Sequence, residues 1–186
     1  MISIGVISDT HIPDRVKQIS PQALEIFRTN KVGLIIHAGD ICTPRIIEEL
    51  QEIAPVEAVK GNRDVLLWSK LPLVKELKIE EVKIAVTHGH FGLIGYFKEK
   101  YNYFLKGPSK FSHLENLILK KFPDADLIIY GHHHIPANKT FGHQVLFNPG
   151  SSCCPNEIYK NLKPSIGLIH IDRKNINAEI KYLDRI

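Results

Sequence analysis

The chain reads as an α/β protein with two sheets, and three observations lead there. Its first third alternates apolar runs with amphipathic helical segments, which implies a parallel sheet. Its second half is rich in short strands with polar connections, which suggests a second, partly antiparallel sheet packed on the first. Five apolar runs end in short polar motifs carrying Asp, Asn or His. In an open α/β sheet, ligands collect at the carboxyl ends of the strands, so these motifs are expected to converge on one crevice.

In chain order, Ile2–Ser8 is the first strand. Ser20-Pro21 supplies a cap residue and a proline at the first helical position, with Leu24 and Phe27 on the apolar face. Leu34–His37 is the second strand. Thr43-Pro44 repeats the start signal, followed by Ile46, Ile47, Leu50 and Ile53 at helical spacing. Val56–Lys60 is the third strand. Leu73–Ile79 and Val82–Thr87 flank Glu80-Glu81 as a hairpin. Ser112-His113-Leu114-Glu115 has the form of a capping box, with Leu114, Leu117, Ile118 and Lys121 behind it. Leu127–Tyr130, Gln144–Phe147, Ile166–Ile171 and Ala178–Leu183 are the remaining strands.

At 186 residues the chain corresponds to one domain, residues 1–186, with an unusual segment at about 91–110. That segment mixes Phe91, Tyr96, Phe97, Tyr101, Tyr103 and Phe104 with Lys98, Lys100, Lys106 and Lys110. It follows a histidine motif, so it starts at the mouth of the crevice. It reads equally as a lid or substrate wall and as an oligomer contact or core cover.

Hydrophobic residues are 44%, charged residues 24% and the formal net charge +4, ordinary for a soluble globular protein. No block of five like charges occurs, so charge does not imply nucleic acid. No apolar run approaches the roughly 18 residues of a membrane span. The N-terminus has no positive region and no small-residue cleavage site. Cys42, Cys153 and Cys154 form no disulfide framework, and neighbouring cysteines rarely bridge each other. These features predict a reduced, cytoplasmic protein.

The motifs are S-D-T-H with Asp9 and His11, A-G-D with Asp40, G-N-R-D with Asn62, T-H-G-H with His88, and G-H-H-H with His132 and His134. Carboxylate oxygen and imidazole nitrogen suit divalent ions that activate water. An Asp-x-His step places two donors on one side of an extended chain, as does His132-x-His134. Asp40 is the carboxylate expected to bridge two ions roughly 3.5–4 Å apart. Gly39, Gly61, Gly89 and Gly131 adjoin the donors, where tight turns are needed.

This ordered set, followed by N-P-G-S at Asn148–Ser151, resembles the calcineurin-like metallophosphoesterases, and within them the small bacterial and archaeal phosphodiesterases. The resemblance implies the metallophosphoesterase fold, a four-layer α/β/β/α sandwich with two facing sheets. It puts Asp9, His11 and His134 on one ion, Asn62, His88 and His132 on the other, and Asp40 between. It implies two divalent metal ions per chain, manganese foremost with nickel, iron, cobalt or zinc able to serve. A hydroxide between the ions would attack the phosphorus of a phosphoester, a small phosphodiester above all.

Arg63 departs from the superfamily's G-N-H-D or G-N-H-E. Arginine cannot give up a proton at neutral pH, but it can hold a phosphate oxygen; the other reading has it turned outward or paired with Asp64. His90 should face the same side as His88 and contact substrate. Asp64 is expected to hold a neighbouring side chain or loop rather than a metal. His37 reads as buried support, His133 as facing away, and Cys42 as packing at a helix start. The competing function is a non-catalytic protein-binding module on the same scaffold, like the retromer-type trafficking subunit, which lacks several ligands. Nucleic acid as substrate and a homo-oligomer through the aromatic segment stay open.

Overall fold

The computed structural model describes residues 1–64, 71–90, 111–153 and 162–184. The aromatic and lysine-rich stretch at 91–110 and Cys154 lie outside them. The described elements run β1 (Ile2–Ile7), α1 (Pro21–Thr29), β2 (Leu34–His37), α2 (Pro44–Gln51), β3 (Val56–Ala58), β4 (Val74–Ile79), β5 (Val82–Thr87), α3 (Phe111–Lys121), β6 (Leu127–Tyr130), β7 (Ala137–Phe141), β8 (Gln144–Asn148), β9 (Ser165–Asp172) and β10 (Asn175–Tyr182).

They form two five-stranded sheets, in the orders β10-β9-β1-β2-β3 and β4-β5-β6-β8-β7. In the first, β1, β2 and β3 are parallel and β9 and β10 antiparallel. In the second, β5, β6 and β8 are parallel, with antiparallel β4 and β7 at the edges. Each sheet therefore presents three parallel strands whose carboxyl ends carry the polar motifs.

Side-chain alternation sorts the core into three apolar layers. Ile4, Val6, Ile36, Ile169 and Ile171 of the first sheet meet Val82, Ile84, Val86, Leu127, Ile129 and Phe147 of the second. On the other face of the first sheet, Ile7, Ile35, Ile166 and Leu168 meet Ala23, Leu24 and Phe27 of α1 and Ile46 and Leu50 of α2. On the outer face of the second, Ala85, Ile128, Tyr130 and Leu146 meet Leu114 and Ile118 of α3. Three interfaces make four layers, helix on sheet on sheet on helix. The alternation is strict because successive strand residues point to opposite faces. Gly5 makes room for the Phe27 ring, which lies 2.8 Å from where a Cβ would stand.

Several local expectations change. Pro21 and Pro44 start their helices, but neither Ser20 nor Thr43 makes a side-chain cap hydrogen bond. Helix α3 spans Phe111–Lys121 with Ser112 within it, and the capping box expected there involves a side chain outside those described. Glu115 accepts from Tyr130 Oη at 3.0 Å and from Lys139 Nζ at 2.7 Å. The third strand stops at Ala58, and the last begins at Asn175, three residues before the expected Ala178. Strand β7 was not expected. It is an edge strand with exposure on both faces, so it carries no apolar alternation to read. The hairpin at Glu80-Glu81 is as expected, with Ile79 opposite Val82.

Candidate metal centre

The carboxyl ends of β1, β2, β3, β5 and β6 meet at one rim, and all seven expected donors stand there. Asp9 (0% exposed), His11 (1%), Asp40 (3%) and His88 (0%) are buried. Two groups of donor atoms lie within 4.8 Å of one another: Asp9, His11 and His134, and Asp9, Asp40 and His88. Asp9 Oδ1 is the pivot, at 3.9 Å from His11 Nε2, 3.8 Å from His88 Nε2 and 3.2 Å from His134 Nε2. Asp40 faces both groups, with Oδ2 3.8 Å from His11 Nε2 and Oδ1 3.5 Å from His88 Nε2. Asn62 Oδ1 lies 3.2 Å from His88 Nε2. The His132 ring lies 5.0 Å from that of His88, centre to centre. The pivotal place of Asp9 was not read from the sequence, which placed it on one side only.

The donors do not converge by strand alternation. Strand β1 ends at Ile7 and β6 at Tyr130, and the donors lie in the turns beyond. Asp9, His11, Asp40, His132 and His134 all have positive φ, between 47° and 76°. Such backbone is uncommon outside glycine, and Asp, Asn and His tolerate it best. It persists where surrounding structure over-determines it, and it gathers at functional sites. Two glycines allow the crowding. A Cβ on Gly61 would overlap Asp40, and one on Gly131 would overlap Ser8 Oγ and stand 2.9 Å from Asp9 Oδ2.

Supporting hydrogen bonds orient the donors. Ser8 Oγ donates to Asp9 Oδ2 at 2.6 Å, and the His132 N–H does so at 3.1 Å. That occupies Oδ2 and leaves Oδ1, buried and without a hydrogen-bond partner, aimed at the histidines. Ser151 Oγ donates to the Asp9 carbonyl at 2.8 Å. His88 Nδ1 donates to the Ala38 carbonyl at 2.7 Å, which turns Nε2 to the site, as carbonyl-fixed metal histidines do. Asp64 accepts from the backbone N–H groups of Ile41 (2.9 Å), Cys42 (2.8 Å) and Gly61 (2.7 Å). It thus ties together the loops bearing Asp40 and Asn62. Ser8 and Ser151 belong to the S-D-T-H and N-P-G-S motifs read from the sequence, and the structure gives each a hydrogen bond to Asp9.

Electrostatics favour a cation. Burial opposes ionisation of Asp9, yet His134, His88 and His11 hold its carboxyl well below the usual range. Burial likewise resists ionisation of Asp40, and the charge on His88 brings it to about 2. Burial would neutralise His88, but Asp40 and Asp9 push it up to about 10. His11 goes the other way: burial takes it to about 4 against the pull of Asp9 and Asp40. Two buried carboxylates, an orphaned carboxylate oxygen and two imidazole nitrogens facing each other at 3.1 Å, His11 Nε2 and His134 Nε2, fit divalent ions.

Other residues fall around this centre. His90 is buried (2%), its ring 5.5 Å from His88 and 6.5 Å from His132. The Arg63 N–H donates to Asp40 Oδ1 at 2.9 Å. Its guanidinium is exposed and pairs with Asp14 at 3.2 Å, not with Asp64. The His133 ring lies tilted beside that of His132, their centres 5.4 Å apart. Cys42 is buried at the loop before α2, where burial pushes its thiol up to about 12. No helix among the described residues is long and apolar enough to cross a membrane.

Residues 2–174 match the family model of the calcineurin-like phosphoesterase superfamily domain. A probable metallophosphoesterase of Methanothermobacter thermautotrophicus is 36% identical over 177 residues, covering 95% of this chain and 90% of that one. A phosphodiesterase of Methanocaldococcus jannaschii is 27% identical over 186 residues, covering 93% and 95%. Among solved structures, zinc-complexed Vps29 of Entamoeba histolytica superposes with a TM-score of 0.74 at 23% identity, over 97% of this chain and 99% of that one. The chain belongs to the calcineurin-like phosphoesterase superfamily.

Proposed function

We propose that this superfamily member is a metal-dependent phosphodiesterase acting on small phosphodiesters, with two divalent ions held at the rim of the two sheets. Asp9, His11 and His134 hold one ion, Asn62, His88 and His132 the other, and Asp40 faces both. The observation that carries the reading is the orphaned Asp9 Oδ1, buried within 4 Å of three imidazole nitrogens on two different sheets. Ions bound there supply Lewis acidity, which lowers the pKa of water from about 15.7 toward 7 and offsets charge on phosphoryl oxygens.

The remaining roles belong to the chain. His90, buried beside His88 and His132, gives a proton to the departing oxygen. Arg63 at the rim leaves Asp14 to hold a phosphate oxygen. Asp64 keeps the two donor loops in register. The working ion is manganese, with nickel, iron, cobalt or zinc able to replace it.

The test is hydrolysis of bis-(p-nitrophenyl) phosphate and the matching monoester by chelator-stripped protein, reloaded in turn with manganese, nickel, zinc and magnesium. Metal-restored turnover that favours the diester and is lost in Asn62→Ala is expected. Turnover unaffected by chelation, or by that variant, refutes the reading.

A second reading has an observation of its own. The solved structures that superpose on this chain include several of Vps29, and one Vps29 structure is complexed with a cyclic peptide. A protein-binding role for this chain would show as two ions bound with no turnover on either ester.

A further inference from the structure

Beneath the candidate metal centre lies a buried hydrogen-bonded link that the chemistry above does not use. His37, the last residue of β2, is fully buried. Its Nδ1 accepts from the Gly39 N–H at 3.2 Å. The neutral ring therefore carries its proton on Nε2, which lies 3.2 Å from Thr10 Oγ1. The Thr10 hydroxyl then has its own proton to give, and the carbonyls of Asp40 and Ile41 each lie 3.3 Å away. The direction of donation runs one way, from Gly39 through His37 and Thr10 back to the Asp40 loop.

The ends of this link are what give it meaning. Thr10 stands between Asp9 and His11, and Gly39, Asp40 and Ile41 form the loop beyond β2. Two backbone bonds run beside it, Asp9 N–H to the Gly39 carbonyl at 2.9 Å and His11 N–H to the Asp40 carbonyl at 3.1 Å. All three donors on these loops, Asp9, His11 and Asp40, have positive φ, a conformation the surroundings must enforce. Neither ring nitrogen of His37 is left over to serve as a ligand.

We propose that His37 and Thr10 act as a positioning pair, locking the loop after β1 to the loop after β2 and so setting the separation of the Asp9–His11 donors from Asp40. The proposal rests on the dinuclear reading above. Loss of the link lets the two loops drift while each keeps its donors, so metal affinity falls before the fold does.

The test is calorimetric titration of chelator-stripped protein with manganese, wild type beside Thr10→Val, Thr10→Ser, His37→Asn and the double variant Thr10→Val/His37→Asn. Valine keeps the shape of threonine without the hydroxyl, and serine keeps the hydroxyl. Asparagine can still accept from Gly39 but cannot reach Thr10. Thr10→Val is expected to bind at least one manganese about tenfold more weakly, the scale of one buried hydrogen bond left unmade. Thr10→Ser restores affinity to within about twofold of wild type on the same scale. The double variant should be no weaker than the worse single one, because both changes break one link. Thermal unfolding in chelator confirms that each variant is folded.

Wild-type manganese affinity in a folded Thr10→Val overturns the positioning pair, as do fully additive losses in the double variant. Wild-type protein that takes up no manganese overturns the dinuclear reading and the pair together.

Discussion

The space between the two sheets and the rim above it are built by opposite rules. Between the sheets, β1, β2, β5, β6, β8 and β9 lend alternate apolar side chains, and Ile4, Val6, Ile36, Phe147 and Ile169 among them are all buried. At the rim, a few residues further along the same strands, the buried side chains include Ser8, Asp9, Thr10, His11, Asp40, Asp64, His88 and His90. The core stabilises by removing apolar area from water, at roughly 25 cal/mol per Å². The rim spends that stability, since buried carboxylates and left-handed backbone both cost free energy. The difference teaches where selection for function acts: the apolar strands hold up a rim of buried polar side chains.

The sharpest way to break this comparison is Asp40→Asn. It removes a carboxylate that faces both donor groups, so turnover should fall by about a thousandfold, the upper scale for one preorganised electrostatic group. Unfolding in chelator should fall below wild type, because the lowered pKa of Asp40 marks a charge the fold favours, and Asp40→Asn leaves buried His88 without that partner. Steady-state kinetics and thermal unfolding of the same sample check both halves. Phe147→Ala is the converse: it should cost about 3–5 kcal/mol of stability by emptying the inter-sheet layer. Urea unfolding measures that loss, and manganese affinity of the folded fraction should be near wild type.

A third prediction concerns the cation itself. Manganese at a hundred times its dissociation constant should stabilise wild type by about 2.7 kcal/mol per site, or roughly 5–10 °C in the unfolding midpoint of a chain this size. Asp40→Asn should lose most of that increment, and Phe147→Ala should keep it. The smallest effect is expected for Arg63→Gln. Its pair with Asp14 is 44% exposed on both sides, so stability should change by less than about 0.5 kcal/mol. KM for the diester should rise a few-fold with kcat retained.

The same contrast explains what could be read from sequence. The core was legible because alternation has a fixed period: Ile4, Val6, Ile36 and Ile129 face inward as strand geometry requires. The donors were legible as residue types in an order, and the structure brings Asp9, His11, Asp40, Asn62, His88, His132 and His134 to one rim. How they converge was not legible. Left-handed turns at Asp9, His11, His132 and His134, rather than extended alternation, bring the donors together, and nothing in the spacing distinguishes the two. Supporting contacts were hidden for a different reason. Thr10 and Ser151 reach partners distant in the chain, and Ser8 reaches one neighbouring carboxylate oxygen, which leaves no periodicity. Strand β7 escaped because its edge position exposes both of its faces. The Arg63 partner, Asp14, lies 49 residues away, beyond any local rule.

The most direct test of the dinuclear rim is a crystal of the chelator-stripped protein soaked in manganese and measured at the manganese absorption edge. Two anomalous peaks roughly 3.5–4 Å apart are predicted. One should lie among Asp9, His11 and His134, the other among Asn62, His88 and His132, with Asp40 between them. A single peak, or two peaks that leave Asp9 Oδ1 untouched, would contradict the account.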